Sequence, residues 1–419
     1  LRIYLKTNIT RVVQDIKIAR MRRLQFLLCG LLLSGSVTHV TAQQNTRKQQ
    51  MIALADKTLD FAARQYKLML QHVPDGVLPR TTNNKDGRLV TAGSDWWTSG
   101  FYPGTLWYLY EYTKDSTLKN EALKRTALVE KEKYNTETHD LGFMLYCSYG
   151  NAYRITKNPA YKEILLTSAR SLCTRFNPKV GCIKSWDHSV WQFPVIIDNM
   201  MNLELLEWAT RVSKDTFYAH VARTHANTTM RHHFRPDYSS YHVIDYDSTT
   251  GAVRKKNTAQ GANDTSAWAR GQAWGLYGYT MMYRDTKNKA YLAQAQHIAD
   301  YILGHPRLPA DLIPYWDYDA PNIPAAPRDA SAGAVAASAL LELSRYTKGA
   351  TAARYWKAGE KMLESLSSPA YLAKEGENND FILMHSVGHL PQKSEVDVPL
   401  TYADYYFVEA LLRYKQWAK

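Results

Sequence analysis

The sequence predicts an all-α chain whose helices pair into six hairpins and close into an (α/α)6 toroid. A small turn recurs five times, as Thr113-Lys114-Asp115, Thr156-Lys157-Asn158, Ser213-Lys214-Asp215, Thr286-Lys287-Asn288 and Thr347-Lys348-Gly349, at intervals of 43, 57, 73 and 61 residues. One role repeated at variable spacing is the signature of a helix-pair repeat with insertions. The segments before these turns are apolar nearly all round, as in residues 141–146 and 333–337, which assigns them to an inner layer. The segments after them carry charge on one face, as with Lys162, Glu163 and Arg170, the pattern of an outer layer, and the period-2 alternation of strands is scarce.

Taken in order, the chain opens with residues 1–20, upstream of a plausible initiator at Met21. Met21-Arg22-Arg23, a short apolar run at 24–33 and a small-residue exit ending Val40-Thr41-Ala42 read as a secretory signal peptide. The run is too short for a membrane anchor, and Leu28 stands before Cys29 where a lipidation signal needs a small residue. The expectation is therefore export across the inner membrane to the periplasm, with no membrane anchor. Residues 43–419 then form a single domain. Its helices are expected at about 47–72, 98–113, 118–133, 140–156, 159–174, 194–212, 215–233, 266–284, 288–303, 330–347, 351–366 and 401–417. An open solenoid would need polar caps at its ends, whereas the first and last of these helices have apolar faces that can seal against each other.

The formal charge of +13 falls to +7 once residues 1–42, with seven basic residues and one Asp, are set aside. No basic run exceeds Arg254-Lys255-Lys256, so no nucleic-acid partner is expected; a modest positive field suits an anionic small substrate. Cys147, Cys173 and Cys182 include no C-x-x-C pair, which argues against a zinc site or a disulfide framework. They read as buried thiols, with one disulfide left open. No metal or cofactor is expected, and a monomer or weak homo-oligomer is.

If inner helices end at the Thr-Lys turns, their N-termini open at the other rim, where the unusual residues lie. Asp95, Asp140 and Asp329 stand at helix starts and read either as N-caps or as functional carboxylates. Asp198 lies inside an apolar stretch, residues 193–206, where a carboxylate must be paired or functional and its pKa is expected to rise, the more so with Asp140 nearby. Arg270 sits between Trp268 and Trp274, combining a fork suited to carboxylates with faces suited to sugars. His242 and Gln260 lie in the longest insertion, where a lone histidine is as well explained by solvation as by function. Ser-His-Asp, HExxH, P-loop and GxGxxG patterns are absent.

The stretches WWTSGFYPGTLWYLYE (96–111), HDLGFMLYCSYGNAYR (139–154), IIDNMMNLELLEWA (196–209), WARGQAWGLYGYTMMYR (268–284) and PRDASAGAVAASALLEL (327–343) together resemble glycoside hydrolase family 88, the unsaturated glucuronyl hydrolases, in a Bacteroidetes-type form. The resemblance runs from about residue 47 to the C-terminus. It implies an (α/α)6 barrel acting on lyase-made glycosaminoglycan oligosaccharides of the chondroitin, hyaluronan or heparin type, which carry a 4,5-unsaturated uronic acid at the non-reducing end. In such enzymes a carboxyl group protonates C4 of the vinyl ether and water adds at C5. The resemblance assigns the acid/base role to Asp198 and a supporting, ring-orienting role to Asp140. It places His242, Gln260, Arg270 and Trp274 in the substrate pocket, with Trp97 and Trp186 as further stacking residues. Arg270 is then expected to meet the uronate carboxylate or sugar hydroxyls, and residues 385–394 to form the rim at the next sugar. Two alternatives stand beside this reading: an unsaturated rhamnogalacturonyl hydrolase of family 105, and a non-catalytic secreted glycan-binding protein.

Overall fold

A computed structural model describes the backbone of residues 2–187 and 190–418; side chains of residues 2–12 and 22–44 lie outside the described set. The expected signal peptide, residues 21–42, falls almost wholly on those residues. Among the described residues no helix is long and apolar enough to cross a membrane. The chain divides into two compact units, residues 1–53 and 54–419. The first is helical; the second holds the end of that helix and all the later elements.

Among the described residues twelve α-helices follow in chain order, the fourth entered through a π-helix. They are α1 (Arg2–Met69, of which residues 54–69 belong to the second unit), α2 (Phe101–Thr113), α3 (Ser116–Val129), the π-helix Gly142–Gly150 running on into α4 (Asn151–Thr156), α5 (Pro159–Cys173), α6 (Asn199–Ser213) and α7 (Thr216–His232). After them come α8 (Ala269–Thr286), α9 (Lys289–Gly304), α10 (Ala330–Ser344), α11 (Gly349–Leu366) and α12 (Thr401–Trp417). The inner ring runs α2, α4 with its π-helix, α6, α8, α10, α12 and back to α2, each packed on the next. The toroid closes. Every residue of α10 is buried, whereas α5 and α11 bury one face, the inner and outer patterns read from sequence.

The recurring turn has a simple mechanism. Thr113 Oγ1 donates to Leu109 O and accepts from Asp115 N, Lys114 takes φ 60°, and Asp115 then caps α3 by accepting from Thr117 N. Lys157, Lys214 and Lys287 repeat the left-handed residue, with Asn158, Asp215 and Asn288 as caps. One side chain closes the old helix and another opens the new one. At the fifth turn the left-handed residue is Gly349, with φ 58°, and Lys348 is extended.

The other rim departs from the all-helical expectation. Among the described residues nine short strands form four small sheets there: β1 (Leu78–Thr82) with β2 (Leu89–Ala92), β3 (Phe176–Asn177) with β4 (Cys182–Ile183), β5 (Pro194–Ile196) with β6 (Val243–Tyr246) and β7 (Val253–Asn257), and β8 (Ser386–His389) with β9 (Ser394–Val398). All lie in connections that lead from an outer helix to an inner one. β5 and β6 are buried on both faces, so no alternation betrays them. Residues 194–196, assigned to a helix from sequence, are therefore strand, and α6 begins at Asn199. Cys147, Cys173 and Cys182 are buried free thiols.

Candidate active site

The two aspartates singled out from sequence are delivered by different devices. Asp198 follows β5: Ile197 N donates to His242 O across the sheet, and the chain turns directly into α6. Asp198 takes φ −57° and ψ −30°, helical rather than extended, and its side chain makes no capping bond. Its Oδ2 is buried without a hydrogen-bond partner. Burial pushes its pKa up to about 7; Arg270 acts downward and the Asp140 charge upward.

Asp140 stands at the mouth of the π-helix, a form often found at functional sites. Close packing sets its position. A Cβ on Gly142 would lie 2.6 Å from Asn202 Cα, and one on Gly100 would lie 2.1 Å from Phe143 O, so the HDLGF and WTSGF glycines let α6 and α2 approach the π-helix. Asn202 Oδ1 in turn accepts from Phe143 N. Asp140 Oδ2 accepts from Thr138 Oγ1 at 3.0 Å, and Oδ1 lies 3.1 Å from His139 Nε2. Burial raises its pKa to about 7, while Thr138, Asn202 and Arg175 act downward.

His242 is fixed by the backbone. Its Nδ1 accepts from both Ala259 N and Gln260 N, each at 3.1 Å, so its proton sits on Nε2. That Nε2 is buried, unpartnered and 3.7 Å from Asp198 Oδ2. Burial holds the ring well below the usual histidine range, and it stays neutral. Gln260 Nε2 donates to Gly388 O. Trp186 packs edge-on to His242, with centroids 5.9 Å apart, and against Trp191. Trp274 is buried with its Nε1 unpartnered, and its ring meets Phe143, Tyr402 and Tyr406. Trp97 packs on Phe143 and Tyr402. All eight candidates therefore join one connected cluster.

Arg270 differs from its sequence reading. Its terminal nitrogens are already engaged: NH1 donates to Asp329 Oδ2 at 3.0 Å and to Val387 O, and NH2 to Gly388 O at 2.7 Å. Only Nε is buried and unpartnered. A bidentate grip on a substrate carboxylate would break this internal set, so Arg270 offers a single N–H and a nearby positive charge. Its guanidinium also lies over Trp268 and Tyr402, at 4.5 and 5.3 Å from the ring centroids. Asp329 proves to be both the N-cap of α10 and the Arg270 counter-ion. Asp95 is exposed and caps nothing: α2 starts after Gly100, with no side-chain cap.

Sequence reasoning passed over His139, Thr138, Asn202 and Tyr402. His139 carried a signal, adjacency to Asp140 in HDLGF; the others contact the site only through the fold. The 385–394 stretch enters as β8, whose Val387 and Gly388 carbonyls hold Arg270. Among the described residues no cluster of three or more His, Cys, Asp or Glu side chains could hold a metal.

The chain is 46% identical over 398 residues, 94% of its length and 98% of the relative's, to an unsaturated glucuronyl hydrolase of Formosa agariphila. The chain belongs to the unsaturated glucuronyl hydrolase family. A solved family structure, an unsaturated glucuronyl hydrolase specific for heparin, superposes with a TM-score of 0.85 at 53% identity, covering 87% of this chain and 97% of that one. The unsaturated glucuronyl hydrolase of Bacillus sp. GL1 superposes at 0.79 and 30% identity, over 87% of this chain and 96% of that one. An unsaturated chondroitin disaccharide hydrolase of Streptococcus pyogenes is 32% identical over 88% of this chain and 94% of its own. No family model matches the chain. Membership makes the protein a glycoside hydrolase and accounts for the (α/α)6 barrel.

Proposed function

We propose that this unsaturated glucuronyl hydrolase releases a 4,5-unsaturated uronic acid from the non-reducing end of lyase-generated glycosaminoglycan oligosaccharides, with Asp198 as general acid and base. The observation that carries this reading is a set of unmet polar groups. Asp198 Oδ2 is buried without a partner, and so are the N–H groups of His242 Nε2, Trp274 Nε1 and Arg270 Nε. Buried polar groups are rarely left open unless something else completes them, and an oxygen-rich sugar ring beside an aromatic wall would.

The chemistry follows from the protonation states. At neutral pH a carboxyl with a pKa near 7 is substantially protonated and can deliver its proton to C4. The C4=C5 pair forms the new C–H bond, and positive charge develops at C5 and the ring oxygen. Asp198, now a carboxylate flanked by the His242 N–H, takes a proton from water as that water bonds to C5. The resulting hemiketal opens and frees the remaining sugar. Because this route does not begin at the anomeric carbon, the separation of two carboxyls does not report stereochemistry as it does in ordinary glycosidases. Trp186, Trp97 and Gln260 line the approach as stacking and polar contacts.

The test is a panel of defined unsaturated disaccharides, heparin-, chondroitin- and hyaluronan-derived, sulfated and unsulfated, followed by loss of the conjugated double-bond absorbance. Turnover of at least one is expected, with the heparin-derived members favoured by the 53% identity to a heparin-specific relative. No loss with any member would sink the proposal. Residues 21–42 support a second part of it, export to the periplasm, which cell fractionation of the full chain checks by locating the shortened protein.

A further inference from the structure

We propose that Asp317 is a positioning residue of this site: by anchoring the loop 258–266 it fixes the tautomer of His242, and with it the N–H group on the Asp198 side. His242 owes that tautomer to two amides, Ala259 N and Gln260 N, which both donate to Nδ1 at 3.1 Å and leave the ring hydrogen on Nε2. The amides belong to a connection that is neither helix nor strand, so something other than regular structure must aim them.

Four consecutive N–H groups of this loop donate to side chains, and none of them to a backbone carbonyl. Ala259 and Gln260 serve His242, Gly261 N donates to Thr258 Oγ1 at 2.8 Å, and Ala262 N donates to Asp317 Oδ2 at 2.9 Å. Backbone groups buried in this way take the conformation that their acceptors impose. Thr258 lies within the loop and His242 is the group being placed, so Asp317 is the anchor from outside. The Ser266 hydroxyl donates to the same Oδ2 at 2.7 Å and ties the far end of the loop to it. Space leaves little alternative, since a Cβ on Gly261 would lie 2.7 Å from Thr258 Oγ1 and 3.1 Å from Asp317 Oδ2. Arg235 grips only the outer end, at the Asp264 and Ser266 carbonyls.

Asp317 is itself held fast. It is fully buried, and its Oδ1 accepts from Asp319 N at 2.8 Å. The backbone on either side is bound to the segment that opens α8: Ala269 N donates to Trp316 O, and Tyr318 N to Ala267 O. That segment leads directly into Arg270. One carboxylate therefore sets the His242 loop and Arg270 in a common frame, which Gly388 O closes on the other side by accepting from Gln260 Nε2 and Arg270 NH2. Asp317 touches no reacting atom in this arrangement; it acts through His242.

The kinetic arm of the test rests on the activity proposed above, and the tautomer arm does not. In the full chain with 15N-labelled histidine, the His242 resonances, identified by their loss in His242→Gln, are expected to show the neutral Nε2–H form at about pH 7. In Asp317→Leu, which keeps the size and removes every acceptor, the Nδ1–H form should appear beside it. There kcat should fall roughly tenfold, with KM changed by less than about threefold. Asp317→Asn keeps one oxygen for the Ala262 N–H and should return both readouts most of the way. Ser266→Ala removes one donor and leaves Asp317 in place; it should shift both readouts in the same direction but less, and it decides the test if the Leu variant does not fold. A wild-type His242 in the Nδ1–H form overturns the proposal whatever the substrate, as does an unchanged Nε2–H form in every folded variant. Equal behaviour of Asn and Leu would also overturn it, because Asp317 would then only fill space.

Discussion

The two ends of the barrel are built from the same inner helices and treat buried polarity in opposite ways. At the Thr-Lys end lies a cavity of about 760 Å³, lined among others by Tyr108, Tyr146, Glu204, Glu409 and Arg413. Its charged groups satisfy one another. Glu409 accepts from Tyr108, Tyr277 and Ser338 and pairs with Arg413, while Glu342 nearby receives Arg284 and Arg413. At the opposite mouth Asp198, His242, Trp274 and Arg270 each keep a buried atom without a partner. A roomy cavity whose lining carboxylates are paired with arginines is architecture. Unmet capacity beside a raised carboxyl is what marks chemistry.

The largest effect that would break this contrast is at Asp198. Asp198→Asn should lower kcat by about 10³-fold, within the usual reach of a general acid and base, read from loss of double-bond absorbance; near-normal turnover would remove the carboxyl from the mechanism. In the wild type the acid form is required, so kcat should fall as pH rises through about 7.

Glu409→Ala tests the other end. It takes one of two carboxylates from Arg413 and the acceptor from the buried Tyr108, Tyr277 and Ser338 hydroxyls, and should destabilise the fold by about 3 kcal/mol, the scale of a broken buried pair, while kcat of the folded fraction changes less than about twofold. Urea unfolding with kinetics on the same samples separates the two; a large kcat loss would make the silent end catalytic.

A smaller effect exposes the stability that the active end gives up. Asp198 has a folded pKa raised above its unfolded value, so its favourable contribution is complete below about pH 4 and is lost as pH rises through about 7. Asp198→Asn removes that titration. The variant should be more stable than wild type above pH 7, by about 1–2 kcal/mol, with the difference shrinking toward pH 4. Unfolding curves at several pH values check the sign, and a variant less stable at pH 8 would contradict the burial argument.

The smallest prediction concerns the turns. Lys114, Lys157, Lys214 and Lys287 occupy a conformation that glycine adopts freely. Lys114→Gly should therefore leave activity alone and stabilise by about 0.5–1 kcal/mol, read as a shift in the urea midpoint. Destabilisation would mean that the lysine side chain itself holds the rim.

The inner helices were legible because burial on all sides leaves an unbroken apolar run, and the turns because Thr, Lys and Asx act locally, within four or five residues. Asp198 was legible for the same reason in reverse, as a carboxylate where the local pattern called for apolar residues. The strands were not, since β5 and β6 are short and covered on both faces. Nor was the engagement of Arg270, whose partners Val387 and Gly388 lie more than a hundred residues away.

By itself the sequence determined the helix-pair repeat, the end of the barrel to which the chemistry is assigned and, through its family motifs, the eight residues that meet there. Only the tertiary structure decided their protonation and their freedom. Which nitrogen of His139 and His242 bears the proton depends on the Ser185 carbonyl and the Ala259 and Gln260 amides. Whether a carboxyl is raised depends on how completely other elements exclude water. Both are properties of neighbours brought together by the fold, and no local pattern encodes them.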